Sequence, residues 1–149
     1  MKRKIIIGIL IIVVVGGFIG YRLYSEETAD IVNKKPDEIT NVKSLIAAFD
    51  ADTASASKKY IDKIVEVTGT VKKIDTTGSL VLGEEDNLSE VVVGLDRRHM
   101  KDYENVKLGS VAVIQGICSG YSKGDGNDLL ASLGTSVELK SAGVKTKNK

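Results

Sequence analysis

The sequence predicts a mainly β fold with helices: a small five-stranded barrel, preceded by an α-helical segment and carried behind an N-terminal transmembrane helix. Three observations predict it. Residues 1–24 hold an apolar run behind a basic start. Residues 42–60 space their apolar side chains as helices do. From Ile64 onward the pattern changes to β-branched runs separated by glycine-bearing turns.

The N-terminal segment opens with Lys2, Arg3 and Lys4, and Ile5–Tyr21 then runs without a charge. At about 1.5 Å of helix rise per residue this falls slightly short of a bilayer core of about 30 Å. Arg22 can snorkel, and Leu23 and Tyr24 extend the span into the interface. Basic residues precede the span and Glu26, Glu27 and Asp30 follow it. This asymmetry predicts a single-pass protein of a bacterial cytoplasmic membrane, with its N-terminus inside and its domain in the periplasm or cell exterior. A cleaved signal peptide is the rival reading, but no Ala-x-Ala site follows the run, and Gly16, Gly17 and Gly20 substitute poorly. No cysteine follows it to carry a lipid.

Residues 25–36 read as a polar linker ending at the only proline, Pro36. The folded domain is expected over residues 37–140. Asn41 or Thr40 can cap a helix whose Val42, Leu45, Ile46 and Phe49 form one stripe. Asp52 can cap a second turn over Thr53–Tyr60. Ile64–Ile74 is the first strand, with Gly69 as a bend. Ser79–Leu82 and Glu90–Leu95 follow as strands two and three. Asp96 can cap a short helix over Arg97–Val106, with Met100 and Tyr103 facing inward. Val111–Cys118 is strand four, Ser122–Asp128 a polar loop, and Leu129–Leu139 strand five, with Gly134 as a bulge. Residues 141–149 are expected to be a disordered basic tail.

Five short strands cannot stand as an open sheet without covering both edges, and closure into a barrel removes them. A helix between strands three and four is where an OB-fold places the helix that plugs its barrel. Two segments also resemble the tRNA_anti-like OB-fold family. One runs through Leu45-Ile46-Ala47-Ala48-Phe49, Lys59-Tyr60-Ile61-Asp62-Lys63 and Val65-Glu66-Val67-Thr68-Gly69-Thr70-Val71; the other runs from Leu108 to Tyr121. The resemblance implies an OB barrel behind a helical segment. It brings no catalytic set. The matching Gly69, Gly109, Gly116, Gly120 and Tyr60 read as residues that make the fold.

Charge narrows the function. Four of the 21 basic residues lie in the first 24, and all 20 acidic residues come later, so the remainder of the chain carries −3. Setting aside Lys145, Lys147 and Lys149 leaves −6 for the folded region. A nucleic-acid binder needs cations to displace phosphate counterions, so nucleic acid is an unfavoured partner.

No enzyme is expected. His99 is the only histidine, sits beside Arg97 and Arg98, and reads as a surface residue. It has no second histidine or cysteine with which to hold zinc, and no cofactor or metal is expected. Cys118, the lone cysteine, reads as a small buried hydrophobe. Asp125-Gly126-Asn127-Asp128 and Glu84-Glu85-Asp86 read as turns ahead of cation loops. Lys58, Lys59 and Lys63 read as a solvated helix face.

Among the aromatic residues, Phe49 and Tyr103 are better explained as core. Tyr121 is the remaining candidate for a ligand contact, flanked by Lys72 and Lys73 near the first loop and Lys123 on the last. The expectation is a membrane-tethered extracytoplasmic binding module for a protein, peptide, glycan or other small ligand, anchored through residues 5–24. Binding of single-stranded nucleic acid on the same face is the alternative.

Overall fold

The structure, a computed structural model, describes residues 14–17, 30–75, 77–124 and 134–145. Residues 14–17 are helical, and among the described residues no helix is long and apolar enough to cross a membrane. Most of the expected anchor over 1–24, the first part of the linker (25–29), the cation-loop candidate at 125–128 and the start of the expected fifth strand lie outside the described residues.

The packed unit begins at Ile31, ahead of the expected start at residue 37. Ile31 and Val32 are buried at 4% and 6% exposure. The physical reason is Gln115, a fully buried side chain whose Nε2 donates to the carbonyls of Ile31 (2.5 Å) and Lys34 (2.7 Å). The end of the linker is therefore fastened to the domain by its backbone.

Among the described residues six strands follow: β1 Glu38–Asn41, β2 Ile64–Asp75, β3 Ser79–Gly83, β4 Glu90–Leu95, β5 Val111–Lys123 and β6 Thr135–Val144. Their order is β1-β2-β3-β4-β6-β5, and β5 also pairs with β2. Strands β2 to β6 thus close into a five-stranded, OB-like barrel, in which β4 and β6 run parallel. The strand β1 was not anticipated; it adds in parallel to β2, from Glu38↔Val65 to Asn41↔Thr68. Long β2 serves both halves of the barrel, pairing β5 over Ile64–Thr70 and β3 from Val71 onward. Gly69 sits at that transition. A Cβ there would collide with Val42 Cγ2 and lie 3.3 Å from Leu82 Cβ.

Helix α1 (Val42–Ala51) is capped as its sequence predicts, by Asn41 Oδ1 accepting from the Ser44 N–H at 2.8 Å. Such a cap contributes about 1 kcal/mol. Its stripe Val42, Leu45, Ile46 and Phe49 is buried, and the helix packs against β2, β3, β4 and β6. Asp52 caps α2 (Thr53–Tyr60) through the N–H groups of Ala54 and Ser55.

The segment between β4 and β5 departs from expectation. Arg97–Asn105 is a 3₁₀ helix with no fully buried residue, so it does not supply the plug. Tyr103 is half-buried against the core and Met100 covers Gly78, but the apolar stripe that enters the barrel comes from α1. The sequence RRHMKDYEN is too polar to enter a core.

Two boundaries also move. The strand β5 continues past Cys118 to Lys123, and β6 continues to Val144. Residues 141–144, expected in the tail, are therefore sheet. Ser141 takes a left-handed φ of 50° at a shift in register, which lets β6 continue and place Ala142 against Leu95. Lys145 belongs to the packed unit as well, 2.6 Å from Glu66 Oε2. The barrel interior is filled by Val65, Val67, Val71, Leu80, Leu82, Val91, Val93, Ile114, Cys118, Val137 and Leu139.

Candidate functional site

Two depressions flank the helical segment. The first is a cleft of about 320 Å³ between α1 and the β3–β4 turn. Its floor is the bend of β2 at Thr68, Gly69 and Thr70, where β2 exchanges β1 for β3 as its edge partner. One wall is α1, through Val42, Lys43, Ile46, Ala47 and Asp50. The other is Gly83, Glu84, Asn87 and Ser89. The bend exists because glycine alone leaves room for Val42, so the feature that shapes the barrel also opens the cleft.

A chain of hydrogen bonds ties its rim together. Lys123 Nζ donates to the Asp50 carbonyl at 2.9 Å. Thr135 Oγ1 donates to the Asp50 carboxylate at 2.5 Å. The Thr135 N–H donates to Ser89 Oγ at 3.0 Å, and the Ser89 N–H to Asn87 Oδ1 at 2.9 Å. Lys72 Nζ closes the series on the Asn87 carbonyl at 2.9 Å. Two of the sequence-derived candidates, Lys72 and Lys123, thus lie at opposite ends of one network, a relation that their spacing in sequence does not reveal.

Neither ammonium faces solvent without a counter-charge. Lys72 is 3.5 Å from Glu90 Oε2, and Lys123 is 4.0 Å from Asp50 Oδ1. Lys73 is exposed and apart from both. It stands in register with Val81, Val92 and Glu138 across β2, β3, β4 and β6, a ladder that contains no aromatic side chain.

Tyr121 belongs to the second depression, a shallow groove lined also by Ser57, Lys58, Ile61, Asp62, Ser119 and Gly120. Its ring stacks on buried Phe49 with centroids 4.9 Å apart at 29°, and Phe49 in turn meets Tyr60 at 6.1 Å. The structure therefore divides the four candidates: Lys72 and Lys123 rim the cleft, Tyr121 lines the groove, and Lys73 stands on the outer sheet. Sequence reasoning missed Asp50, Thr135, Asn87 and Ser89. The one available signal was Gly69, which marks the floor.

His99 is not a simple surface residue. Its side chain is 19% exposed, with Nδ1 3.0 Å from Asp102 Oδ2. That same oxygen accepts the Val144 N–H at 3.0 Å, which docks the 3₁₀ helix onto β6. Among the described residues, no group of three or more His, Cys, Asp or Glu is placed to hold a metal ion. Cys118 is buried, and burial pushes its thiol up to about 11.

Comparison with known proteins adds a family and a fold. The family model tRNA_anti-like matches residues 1–132. Among solved structures, one similar chain is a lipoprotein from Klebsiella pneumoniae subsp. pneumoniae MGH 78578 to which nucleic-acid binding has been ascribed. It is 20% identical with a TM-score of 0.51, over 72% of this chain and 91% of that one. At that identity the likeness shows the fold alone. A protein from Leishmania major Friedlin, ascribed to the aspartyl-tRNA synthetases, matches at 13% identity and a TM-score of 0.37, over 84% of this chain and 23% of that one. That second likeness carries no argument. No curated protein matches the chain.

Proposed function

The chain belongs to the tRNA_anti-like family, and from that premise we propose that it is a membrane-tethered, extracytoplasmic OB-fold binding module, not an enzyme, that holds a small polar ligand or a peptide segment in the cleft over Gly69. The tether is Ile5–Tyr21 with its basic start and acidic exit, as the sequence supports. The observation that carries the binding reading is the cleft itself. It is a concavity at the lower end of the usual size for ligand pockets, lined by Val42, Ile46 and Ala47 together with Asn41, Lys43, Asp50 and Asn87. A partly apolar wall with a few donors and acceptors around it suits a small polar molecule or peptide side chains.

Nucleic acid is the second reading, favoured by the role ascribed to the Klebsiella lipoprotein. OB-folds hold single strands by stacking bases on aromatic side chains along a positive groove. Here the outer ladder is Lys73, Val81, Val92 and Glu138, and Lys72 and Lys123 at the cleft rim are matched to Glu90 and Asp50.

The test uses the full chain in detergent micelles. Ligand-observed NMR against a panel of amino acids and dipeptides is expected to find binders that Ala47→Phe, which fills the cleft from an exposed helix position, abolishes. A fluorescent thymidine dodecamer is titrated beside it at low and physiological salt. Tight dodecamer binding with a steep salt dependence, and no binder in the panel, would replace the first reading with the second.

A further inference from the structure

We propose that Tyr121 is a stacking platform for a sugar ring, and that the groove beside it is a saccharide site separate from the cleft. Tyr121 is 40% exposed, high for a tyrosine already packed against a core residue. Phe49 is fully buried and covers one face of the ring at 4.9 Å, so the ring is held rigidly and its far side fronts the groove. A rigid aromatic face presents apolar area at little entropic cost. The C–H face of a pyranose matches such a surface.

Around the ring stand the groups that read sugar hydroxyls. The groove is lined by Asp62, Lys58, Ser57 and Ser119, which between them carry a carboxylate, an ammonium and two hydroxyls. Asp62 is held in place from both sides. It takes a left-handed φ of 61°, its N–H donates to the Cys118 carbonyl at 2.9 Å, and the next residue's carbonyl accepts the Cys118 N–H at 3.1 Å. A non-glycine residue keeps that conformation only where its surroundings enforce it. Here β5 enforces it and fixes the Asp62 backbone at the edge of the groove. The carboxylate of Asp62 offsets the one cation, Lys58, that a nucleotide phosphate would need here, whereas a neutral polyol can donate to Asp62 and accept from Lys58.

The test is saturation-transfer NMR of the full chain in micelles with N,N′-diacetylchitobiose and with maltotriose, read together with affinities from calorimetry. At least one of the two sugars is expected to bind. Tyr121→Ala is expected to weaken that binding by about tenfold or more, and Tyr121→Phe to keep it, because stacking needs the ring and not the hydroxyl. Asp62→Asn, which tolerates the left-handed backbone, is expected to weaken it several-fold. Ala47→Phe is expected to leave it unchanged, which separates this site from the cleft. The conservative pair Tyr121→Phe and Asp62→Asn keeps the test valid should Tyr121→Ala fail to fold. The proposal is overturned if neither sugar binds, or if binding is indifferent to both Tyr121→Ala and Asp62→Asn. It is equally overturned if a thymidine dodecamer, and neither sugar, binds in a Tyr121-dependent manner.

Discussion

Lys123 is bonded to Asp50 across the mouth of the cleft: its ammonium donates to the Asp50 carbonyl at 2.9 Å and lies 4.0 Å from the carboxylate. The pair joins the end of β5 to α1, two elements far apart in the chain. It also neutralises the cation that sequence reasoning placed at a ligand site.

The first prediction follows from that neutralisation. Both partners are partly exposed, so the ion pair itself contributes little to stability. The Thr135 hydroxyl bonded to the same carboxylate at 2.5 Å matters more, because Thr135 is buried. Asp50→Ala is expected to cost about 1–2 kcal/mol in chemical denaturation, and Lys123→Ala less than about 1 kcal/mol. Equal losses would show that the ammonium, and not the hydroxyl, organises the rim.

Gly69 gives a second prediction. Gly69→Ala drives a methyl into Val42 and against Leu82 at the bend of β2. The expected loss is about 1–3 kcal/mol, typical of an overpacked core. The same change should reshape the cleft. Denaturation midpoints read the first effect, and loss of the ligands found by NMR reads the second. Unchanged stability would mean that α1 can shift to accommodate a side chain.

The parts of the fold written locally were legible in the sequence. The stripe Val42, Leu45, Ile46 and Phe49 identifies α1, and Asp52 and Asp96 cap the segments that follow them. Gly69 marks a bend because a Cβ cannot fit there. What stayed hidden depends on partners distant in the chain. The strand β1 has four residues, and its Ile39 is 69% exposed, so it shows no buried alternation and exists only through parallel pairing with β2. Lys72 and Lys123 looked like free cations because their partners, Asn87, Glu90 and Asp50, lie in other elements. In the sequence Gln115 is one polar residue within the apolar run Val111–Cys118. Its role as a clamp is visible only once Ile31 and Lys34 lie beside it.

That clamp supplies the third prediction. Gln115→Leu removes both donors from the carbonyls of Ile31 and Lys34 and leaves them in a largely buried setting. A loss of about 1–3 kcal/mol is expected. The segment should also loosen locally, so trypsin should cut after Lys34 faster than in the parent chain under native conditions. Unchanged cleavage would show that burial of Ile31 and Val32 holds the segment without the amide.

Acid should act through Asp96. The Arg98 side chain donates to both carboxylate oxygens, Nε to Oδ1 at 2.8 Å and Nη2 to Oδ2 at 2.9 Å, and the Arg98 N–H adds a third bond at 2.9 Å. These bonds hold the carboxyl down from 3.8 to about 2. A depressed carboxyl stabilises the fold fully above its unfolded value, and that contribution fades as pH falls from 3.8 through about 2. Asp96→Asn should flatten the stability-against-pH curve in that window and leave its slope near neutrality unchanged. Identical curves for the two chains would remove Asp96 from the account.

The last prediction concerns where the domain faces, and it rests on the single cysteine. Cys118 is buried, and burial pushes its thiol up to about 11, so almost no thiolate is present at neutral pH. The parent chain should therefore resist a membrane-impermeant maleimide whether or not the reagent can reach the domain. An added surface cysteine then reports location without background. Lys101 is exposed on the 3₁₀ helix, away from both depressions, and Lys101→Cys leaves the core untouched. In intact spheroplasts the variant should label while the parent does not, as the basic start and acidic exit of the N-terminal run require. Labelling that appears only after lysis would place the domain inside and withdraw the extracytoplasmic ligand classes with it.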